Sequence, residues 1–490
     1  MITRNVIGYF MVQGRLYMER KIKVNRREFL AAAGGAVALR AASSDSGAAA
    51  VRIAVDRGRR LGAIPADFTG LGYEISSVAR PGLLSARNET YVRLVKTLGS
   101  SGVIRVGGNT SDYSSFAPKS RAISSPTGTV VNSEGLRELA GFLEATGWRL
   151  IWGLNLGSGD RQQILDEAAA VAAACKDKLL AFEIGNEPDQ FGGGHRPSGY
   201  RYDDYLKEYR SYKAAVRSKL PDAPFAGPDV AGATDWVTRF AADEGSDLKL
   251  LTHHYYRECA GATSSLEKLL LPDPKLVPQL ERQRAASVAA HVPYRICETN
   301  SFCGGGKPGV SDTFGAALWV LDFMFTLASY DCAGVNMETG VNQMGFISSY
   351  SPVGDDDHGA YSAKPEYYGM LAFAPSSRGE KVAVNCDAAG LNLTSYAVDG
   401  DSGLTVTIVN KDESRDAEVA ITGTQGPGDC RALRLVGPSL QSRNGITLGG
   451  AAVDSKGDWK PRVFETVANK GGQCEIGVPA GSAVILSWRA

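Results

Sequence analysis

Short apolar runs alternate with longer amphipathic segments between about residue 62 and residue 375. Buried strands are indicated by the runs Phe68–Tyr73, Val103–Gly107, Arg149–Asn155, Leu179–Gly185, Phe225–Pro228, Leu250–Tyr256, Tyr294–Cys297 and Ala333–Met337. Helices are indicated between them at Glu89–Leu98, Ser133–Ala145, Gln162–Ala174, Asp203–Leu220 and the nearly all-apolar Thr313–Leu327. This rhythm predicts an α/β fold, a (β/α)8 TIM barrel over residues 62–375. A doubly wound sheet is the alternative, but no Gly-x-Gly-x-x-Gly motif follows the first strand.

Beyond about residue 376 the pattern becomes that of an all-β domain. Leu404–Val409 and Glu475–Val478 alternate between apolar and polar residues, Ala483–Trp488 is typical of a terminal strand, and Gly-rich turns separate the pieces. This predicts a β-sandwich over residues 376–490. Arg52–Val55 also has a strand pattern. Because Phe68–Tyr73 fits the first barrel strand better, we expect residues 51–61 to join the sandwich.

The first fifty residues have the composition of a targeting segment. The pair Arg26-Arg27, with Phe29 and Leu30 close behind, precedes an Ala- and Gly-rich run, and small residues follow at 48–50. Charged, then apolar, then small residues are the layout of a signal peptide, and the paired arginines resemble the twin-arginine export signal of bacteria. We therefore predict a signal peptide over residues 1–50 and an exported protein, periplasmic or extracellular. A disordered basic tail is the alternative.

Charge and hydropathy disfavour two large classes of protein. The chain has 53 basic and 53 acidic residues, but residues 1–50 hold eight Lys or Arg and three acids, so residues 51–490 are net acidic. A nucleic-acid-binding protein normally shows a basic excess or a basic stripe, so we expect no nucleic-acid partner. No apolar run reaches the roughly 18 residues of a membrane-spanning helix, so no membrane span is predicted.

Neither a cofactor nor a metal ion is predicted. The chain has five histidines, of which His253 and His254 are adjacent, and its eight cysteines form no Cys-x-x-Cys pair. The run Asp355-Asp356-Asp357-His358 is interpreted as a solvated loop. We expect the cysteines to be buried free thiols, and Cys430 with Cys474 is the pair favoured if a disulfide forms.

The candidate chemistry lies at the ends of two predicted strands. The fourth barrel strand ends in Asn186-Glu187-Pro188 and the seventh ends in Glu298. TIM-barrel active sites lie at the carboxyl ends of the strands, and strands four and seven face each other across the barrel mouth. A single glutamate at such a position often only caps a helix or pairs with an arginine. Two facing carboxylates, one protonated and one ionised, are the groups that glycoside hydrolysis requires.

Two sequence segments around these glutamates resemble a known family of enzymes. Gly185–Asp189 resembles the acid/base segment of the retaining clan A glycosidases. Glu298–Gly306, which ends in three consecutive glycines, and the following Ser311–Phe314 resemble glycoside hydrolase family 79. That family contains heparanase and the bacterial and fungal β-glucuronidases. The resemblance covers nearly the whole chain after the signal, including the plan of a barrel followed by a sandwich.

The resemblance implies roles for individual residues. Glu187 is the general acid/base and Glu298 is the nucleophile, which we expect to be kept ionised by Arg295 and by hydroxyl donors. Substrate-binding roles are implied for Glu74, Asn109, Asn186, Tyr255, Gly304, Gly305 and Tyr350.

Within that set the expected contacts differ. Asn186 is expected to bind the sugar 2-hydroxyl, and Tyr255 to hydrogen-bond Glu298. The Gly304–Gly305 turn and Tyr350 are expected to hold the uronic carboxylate. Glu74 and Asn109 are expected to hold sugar hydroxyls, and an ion pair between Glu74 and Arg105 is the alternative. Cys303 departs from the family pattern, because relatives often carry Tyr there.

We predict a retaining, exo-acting β-glucuronidase that removes terminal β-linked glucuronic acid, with or without a 4-O-methyl group, from glycans by double displacement. A heparanase-like endo-enzyme would need basic clusters to hold a sulfated chain, and residues 51–490 are net acidic with no Lys/Arg run. Another clan A exo-glycosidase, such as a xylosidase or glucosidase, is the second enzyme hypothesis. A carbohydrate-binding protein is the hypothesis without catalysis.

Overall fold

A computed structural model describes residues 48–158, 160–340, 348–355, 359–424 and 428–489. Most of the predicted signal peptide, including Arg26-Arg27, lies outside the described residues, as do residues 356–358 of the predicted solvated loop. Asp355 is buried at the end of a short strand, so that part of the loop prediction is wrong.

The strands are, in chain order, β1 Ala49–Ala63, β2 Thr69–Glu74, β3 Val103–Gly107, β4 Ser115–Phe116, β5 Val130–Val131, β6 Arg149–Leu154, β7 Leu179–Ile184, β8 Ala226–Val230, β9 Leu250–Tyr256, β10 Tyr294–Asn300, β11 Val335–Glu338, β12 Val353–Asp355, β13 Tyr361–Ala363, β14 Glu380–Asp387, β15 Leu393–Gly400, β16 Gly403–Asn410, β17 Ala417–Thr422, β18 Cys430–Val436, β19 Thr447–Leu448, β20 Glu465–Val467, β21 Asn469–Lys470, β22 Gln473–Val478 and β23 Ser482–Ser487. The helices are α1 Glu89–Leu98, α2 Ser133–Thr146, α3 Arg161–Cys175, α4 Tyr202–Lys219, α5 Thr234–Glu244, α6 Leu266–Leu270, α7 Leu276–Ala290, α8 Phe314–Ser329 and α9 Pro365–Ser376.

Eight parallel strands form a closed barrel, as the sequence predicts. Their order is β7-β6-β3-β2-β11-β10-β9-β8. The sheet closes between β7 and β8, where the Phe182 amide donates to the Pro224 carbonyl over 2.9 Å. Helices between the strands cover the outer face, which explains why the strands are continuous apolar runs. The TIM-barrel prediction is confirmed, and the carboxyl ends of all eight strands meet at one mouth.

The second sheet is built from both ends of the described chain. β1 pairs antiparallel with β14 and parallel with β17, in the middle of a large mixed sheet. Alternate residues of β1, Val51, Ile53 and Val55, are buried in the same apolar core as residues of β14–β18, β22 and β23. Arg434 of β18 donates to the Gly477 carbonyl of β22 over 2.9 Å, so the sheet curls round this core. The predicted entry of the N-terminal strand into the C-terminal β-domain is confirmed.

Helix α8 fixes the mixed sheet to the barrel. Phe325 of α8 stacks on Tyr396 of β15, with ring centroids 4.7 Å apart. Asp322 of α8 accepts a hydrogen bond of 2.7 Å from the Tyr396 hydroxyl and pairs with Lys411. The strand β10 that carries Glu298 leads through a loop into this helix, so the β-domain supports one wall of the mouth. Among the described residues, every helix is too short or too polar to cross a membrane.

Candidate active site

Glu187 follows β7 in a backbone conformation that non-glycine residues seldom adopt. Its φ angle is +50°, and such a conformation costs about 1–3 kcal/mol. Two features hold it: the Glu187 amide donates to the Asp229 carbonyl over 2.9 Å, and Pro188 starts a single 3₁₀ turn. The Glu187 side chain is 23% exposed, so its carboxyl group is accessible from the mouth.

Glu298 lies on β10, where an irregularity in strand pairing redirects the chain. The register with β9 shifts between Ile296 and Glu298, and β-bulges beside active sites commonly re-aim a side chain in this way. The Glu298 carboxylate accepts a hydrogen bond of 2.7 Å from Arg105 Nη1 and one of 3.1 Å from the Tyr256 hydroxyl. Each of its two oxygens is therefore held by a different donor.

The two predicted catalytic glutamates meet at His254. His254 Nδ1 lies 2.9 Å from Glu187 Oε1 and 3.8 Å from Glu298 Oε2. The nearest oxygens of the two carboxylates lie within 4.8 Å of each other. The structure thus brings together two residues that are 111 positions apart in the sequence.

Arg105 is the central cation of the barrel interior. It is wholly buried on β3 and donates to four groups, at 2.6 Å to Asp229, 2.7 Å to Glu298, 2.9 Å to the Asn186 side-chain oxygen and 3.2 Å to Glu183. A guanidinium can satisfy several acceptors at fixed angles, which a lysine cannot do. Arg105 therefore links the strands that carry both candidate catalytic residues.

Asp229 contacts the His254 ring nitrogen that faces away from Glu187. His254 Nε2 lies 2.8 Å from Asp229 Oδ1, and the Cys297 thiol donates to the same oxygen over 2.8 Å. Burial works against the cation, but Asp229 and Glu298 raise the pKa of His254 well above its ordinary value. His254 is therefore protonated near neutral pH and donates from both ring nitrogens.

The mouth contains more acids than cations, and burial raises the pKa of several of these acids. Burial raises the pKa of Glu187, against the opposing effect of His254. Burial and the charge of Glu298 raise the pKa of Glu74 to about 7, and burial and Asp229 raise that of Glu183 to about 7. The site can therefore supply both a proton donor and a charged carboxylate near neutral pH, because their surroundings differ.

Three of the predicted sugar-binding residues form one side of the mouth. Asn186 is buried, and its side-chain nitrogen lies 3.4 Å from the side-chain oxygen of the exposed Asn109. The Glu74 carboxylate accepts hydrogen bonds from the amides of Asn109 and Thr110 and from the Thr110 hydroxyl. Glu74 is therefore not the ion-pair partner of Arg105, whose donors are directed to other groups.

The predicted contact between Tyr255 and Glu298 is wrong by one residue. Tyr255 points out of the barrel, where its hydroxyl donates to Asp273 over 2.6 Å and its ring stacks on Phe323. Tyr256, on the opposite face of the strand, makes the contact with Glu298. Side chains alternate along β9, and the inward face is the one that carries His254 and Tyr256.

The predicted support of Glu298 by Arg295 is also wrong. Arg295 is buried at the opposite end of the barrel, where it donates to the Asn336 side chain over 2.7 Å and to the Phe68 carbonyl over 3.1 Å. Three residues of extended strand separate it from Glu298 by roughly 10 Å. Arg105 on β3 takes the role instead.

The predicted glycine turn forms one edge of the mouth. Gly304, Gly305 and Gly306 all have φ between +76° and +88°, a conformation that favours glycine. The Ser349 amide donates to the Gly305 carbonyl over 2.7 Å, which ties the turn to the segment that carries Tyr350. Tyr350 is buried and its hydroxyl interacts with that of Tyr256. Gly304, Gly305 and Tyr350 therefore lie on one side of the site.

Cys303, the residue before this turn, forms a disulfide with Cys259 in the loop after β9. Backbone hydrogen bonds flank the bridge: the Cys303 amide donates to the Glu258 carbonyl and the Ala260 amide to the Cys303 carbonyl. The expectation of free thiols is thus wrong for these two residues. The favoured Cys430–Cys474 bridge is not formed in the structure: both residues are buried free thiols, and the two side chains hydrogen-bond each other.

Two clusters here have the residue types of a metal site, Asp229–His254–Cys297 and Glu187–His254–Glu298. In both, the ring nitrogens of His254 already face carboxylates, with Nδ1 2.9 Å from Glu187 and Nε2 2.8 Å from Asp229. The Arg105 guanidinium already contacts Asp229 and Glu298. Hydrogen bonds and ion pairs therefore account for both clusters.

A separate cavity of about 880 Å³ lies near the amino ends of the barrel strands and is lined by residues of β1 and of the β15–β16 turn. Four of its charged groups pair with one another, Arg57 and Arg60 with Asp399 and Arg60 with Glu380. The candidate active site lies at the other end of the barrel.

The comparisons with known proteins agree with this geometry. The family model described as the glycosyl hydrolase family 79 C-terminal beta domain matches residues 388–485. A β-glucuronidase of Aspergillus niger is 27% identical over 488 residues, covering 86% of this chain and 88% of the relative. A heparanase of Mus musculus is 27% identical over 250 residues, covering 48% of this chain and 44% of the relative.

A solved structure has the same fold. The 4-O-α-L-rhamnosyl-β-D-glucuronidase of Fusarium oxysporum 12S superposes with a TM-score of 0.74 at 19% identity, covering 89% of this chain and all of that structure. The barrel, the β-domain and the paired glutamates at the mouth define the chain as a glycoside hydrolase. Within that class, the match of the β-domain to the family 79 model and the β-glucuronidase and heparanase relatives support glycoside hydrolase family 79.

Proposed function

We propose that this glycoside hydrolase is a retaining, exo-acting β-glucuronidase. The observation that carries the proposal is the pair Glu187 and Glu298, whose nearest oxygens lie within 4.8 Å. Retaining enzymes keep their two carboxyl groups about 5–5.5 Å apart, whereas inverting enzymes leave about 6.5–9.5 Å for a water molecule. The relative named β-glucuronidase, which aligns with 86% of this chain, supports glucuronic acid as the sugar.

In the first step Glu298 attacks the anomeric carbon while Glu187 gives its proton to the glycosidic oxygen. The bond from the anomeric carbon to that oxygen breaks, the aglycone leaves as an alcohol, and the sugar is held as an ester of Glu298. In the second step the Glu187 carboxylate takes a proton from water. The water oxygen attacks the anomeric carbon, the ester bond breaks, and glucuronic acid leaves with its β-configuration.

The neighbouring groups support both steps. Arg105 and Tyr256 hold the Glu298 carboxylate in place for attack. The His254 cation lies 2.9 Å from Glu187 and stabilises the carboxylate that forms when Glu187 has lost its proton. The Asn186 side-chain oxygen is bound by Arg105 and one N–H of its amide faces Asn109, which leaves the second N–H to donate to the sugar 2-hydroxyl.

The glycine turn binds the uronic carboxylate. Successive backbone N–H groups in a turn with positive φ angles form a concave site for an anion, and the Gly304–Gly306 turn has this conformation. Glu74 has a raised pKa, which lowers the repulsion that an anionic substrate would meet from it. Tyr350 adds a hydroxyl beside the turn.

Exo action is supported by charge. Residues 51–490 are net acidic, and their longest Lys/Arg run is the pair Arg59-Arg60, whereas an enzyme that cleaves inside a sulfated chain needs basic clusters along its cleft. The heparanase relative aligns with 48% of this chain.

We also propose that residues 1–50 are a twin-arginine signal and that the enzyme acts outside the cytoplasm. The exported enzyme would then consist of a barrel of residues 62–375 and a β-domain of residues 51–61 and 376–490. The Cys259–Cys303 disulfide supports export, because such bonds persist in oxidising compartments. Substitution of both Arg26 and Arg27 by Lys should leave the protein in the cytoplasm of a bacterial host. Unchanged export of that variant would overturn the signal assignment.

A panel of aryl β-glycosides tests the substrate. The enzyme should hydrolyse the glucuronide and turn over the glucoside and xyloside at least about 100-fold more slowly, because the neutral sugars leave the anion site empty. Glu298→Ala is the control for contaminating activity and should be inactive. Hydrolysis of the xyloside or glucoside in place of the glucuronide would transfer the assignment to another clan A exo-glycosidase. Uronate binding without turnover by the wild type would favour a carbohydrate-binding protein.

A further inference from the structure

Asp189 lies two residues after the candidate acid/base and takes no part in the steps described above. It belongs to the 3₁₀ turn that Pro188 begins and is partly buried. Its Oδ1 accepts a hydrogen bond of 2.9 Å from the Ala231 amide, and its Oδ2 accepts bonds of 3.1 Å from the amides of Gly232 and Ala233. These three consecutive residues belong to the loop after β8. The Asp189 carboxylate therefore joins the loop after β7 to the loop after β8.

The three amides come directly before helix α5, which has no cap from its own loop. Ala233 is the N-cap residue and makes no side-chain hydrogen bond to the helix. Successive N–H groups that donate to one carboxylate form a concave site for an anion, and the positive end of the helix dipole also favours a negative charge there. Gln190 Nε2 lies 3.3 Å from Asp189 Oδ2. The Asp189 carboxylate is therefore fixed by four donors.

Both loops contain a residue whose backbone is strained. Glu187 has a φ angle of +50° and Asp229 has one of +58°, in a region that residues with a Cβ seldom adopt. The Glu187 amide donates to the Asp229 carbonyl over 2.9 Å, so the two strained residues are bonded to each other. Such conformations persist at functional sites only where the surroundings hold them. The bonds of Asp189 hold the same two loops together a second time, from two residues further along each loop.

The two strained residues are also the ones that act in proton transfer. The Glu187 carboxyl group gives the proton, and its Oε1 lies 2.9 Å from His254 Nδ1. Asp229 Oδ1 lies 2.8 Å from the other nitrogen of that ring. A change in either loop therefore moves the proton donor, or the residue that supports its neighbouring cation.

We propose that Asp189 is a positioning residue for acid catalysis, which holds the Glu187 carboxyl group at the glycosidic oxygen by joining the two loops. This inference rests on the proposed function. A misplaced proton donor loses much of its contribution, because proton transfer requires hydrogen-bond distance. The nucleophile does not depend on Asp189, since Arg105 and Tyr256 hold Glu298 from β3 and β9. Loss of Asp189 should therefore slow acid catalysis and spare nucleophilic attack.

The test compares two aryl β-glucuronides with different leaving groups. Phenol is a poor leaving group that needs a proton from Glu187, whereas 2,4-dinitrophenolate leaves without one. For both substrates kcat/KM reports the formation of the Glu298 ester. In Asp189→Ala, kcat/KM should fall at least about 10-fold for the phenyl glucuronide and less than about threefold for the dinitrophenyl glucuronide. Asp189→Asn keeps one acceptor oxygen, so its kcat/KM for the phenyl glucuronide should lie between those of the wild type and Asp189→Ala.

The pH profile of Asp189→Asn gives a second readout. Burial and the negative charges of Glu298 and Asp189 raise the pKa of Glu187, against the opposing effect of the His254 cation. Removal of the Asp189 charge therefore lowers that pKa. Because kcat/KM for the phenyl glucuronide is retained only while Glu187 is protonated, its alkaline limb should move to lower pH. Loss of a merely structural contact would leave this limb in place.

Asp160→Ala is the matched control. Asp160 is the N-cap residue of α3, and its carboxylate accepts hydrogen bonds from the amides of Gln162 and Gln163. It thus has the same kind of contact as Asp189, but in the loop after β6. Asp160→Ala should keep the wild-type ratio of kcat/KM between the two substrates, and melting temperatures of all variants report folding.

Several results would overturn the inference. One is an equal loss on the two substrates in Asp189→Ala, which would make Asp189 a general support of the mouth. Another is unchanged kcat/KM on both, and a third is an alkaline limb of Asp189→Asn that stays in place or moves to higher pH. If Asp189→Ala does not fold, the nearly isosteric Asp189→Asn decides by the same comparison of substrates. If the wild type hydrolyses neither glucuronide, the proposed function itself has failed.

Discussion

His254 Nδ1 lies 2.9 Å from Glu187 Oε1, while the other nitrogen of the same ring lies 2.8 Å from Asp229 Oδ1. The ring thus connects the candidate acid/base with a buried carboxylate whose pKa is lowered, because Arg105 and His254 outweigh its burial. A proton donor must hold its proton until the leaving oxygen needs it and must then bear a negative charge. The His254 cation opposes the first requirement and assists the second.

His254→Gln should therefore shift the pH profile of kcat/KM towards higher pH. Glu187 acts as an acid, so kcat/KM is retained below its pKa and is lost as pH rises through that pKa. Loss of a neighbouring cation raises the pKa of a carboxyl group by about one unit or more, so the alkaline limb should move to higher pH by about that amount.

His253→Gln is the control for this experiment. The ring of His253 is buried, and burial lowers its pKa to about 3, so it carries no charge at working pH. Its variant should keep the wild-type profile. An alkaline limb that moves downward in His254→Gln would contradict the arrangement.

Tyr256→Phe should impair catalysis, and Tyr255→Phe should not. Tyr256 donates to Glu298 over 3.1 Å, whereas Tyr255 donates to Asp273 outside the barrel. Loss of a hydrogen bond to a charged nucleophile costs about 1.5–3 kcal/mol, which corresponds to a fall of roughly 10- to 150-fold in kcat/KM. Steady-state kinetics on the aryl glucuronide measure both variants. The opposite order of activities would show that the other face of β9 serves the site.

Arg105→Met should destabilise the fold as well as abolish activity. The guanidinium is fully buried and pairs with Glu183, Asp229 and Glu298. Removal of one partner from a buried ion pair costs about 3–5 kcal/mol, because the remaining charge stays buried. Urea unfolding measures the difference in free energy of unfolding.

Arg93→Met provides the comparison on the surface. Arg93 pairs with Glu89 on α1 across one turn, and the two side chains are 40% and 76% exposed. Such pairs contribute about 0.3–0.5 kcal/mol. Equal unfolding free energies for the two variants would show that Arg105 is not the structural centre of the mouth.

Removal of the disulfide should weaken substrate binding more than catalysis. Cys259 and Cys303 join the loops after β9 and β10, and Cys303 precedes the glycine turn proposed to bind the uronic carboxylate. In the double variant Cys259→Ser, Cys303→Ser we expect KM for the glucuronide to rise several-fold with kcat nearly unchanged, since the turn loses a constraint and not a reacting group.

Cys386→Ser controls for loss of a thiol elsewhere. Cys386 is a half-buried free thiol in β14 of the mixed sheet. Its kinetics should match the wild type. A fall in kcat with unchanged KM in the disulfide variant would assign the bridge to the catalytic groups instead.

The fold was largely predictable because its signals are local. Eight apolar runs fix the barrel strands, and the shift from helical to alternating periodicity marks the β-domain. The two glutamates were predictable for the same reason: each ends an apolar run, and carboxyl ends of barrel strands converge. The entry of β1 into the distant sheet followed by elimination, since another run fits the first barrel strand better.

The groups that surround the glutamates were harder to predict because they depend on which face of each strand turns inward. Alternation along β9 gives two faces but does not say which is inside, hence the error over Tyr255 and Tyr256. Arg105 and Arg295 are both charged residues within apolar strands. That pattern indicates the barrel interior, but it does not say at which end each guanidinium lies. Disulfide pairing depends on which loops meet in space, and no local signal at Cys259 or Cys303 reports that.

The stereochemistry of hydrolysis tests the central claim most directly. Proton NMR of an aryl β-glucuronide digest, recorded within the first minutes, follows the anomer that is released before mutarotation. The spacing of Glu187 and Glu298 predicts that β-glucuronic acid is formed first. Initial release of the α-anomer would show an inverting enzyme and would contradict the role of Glu298 as a nucleophile.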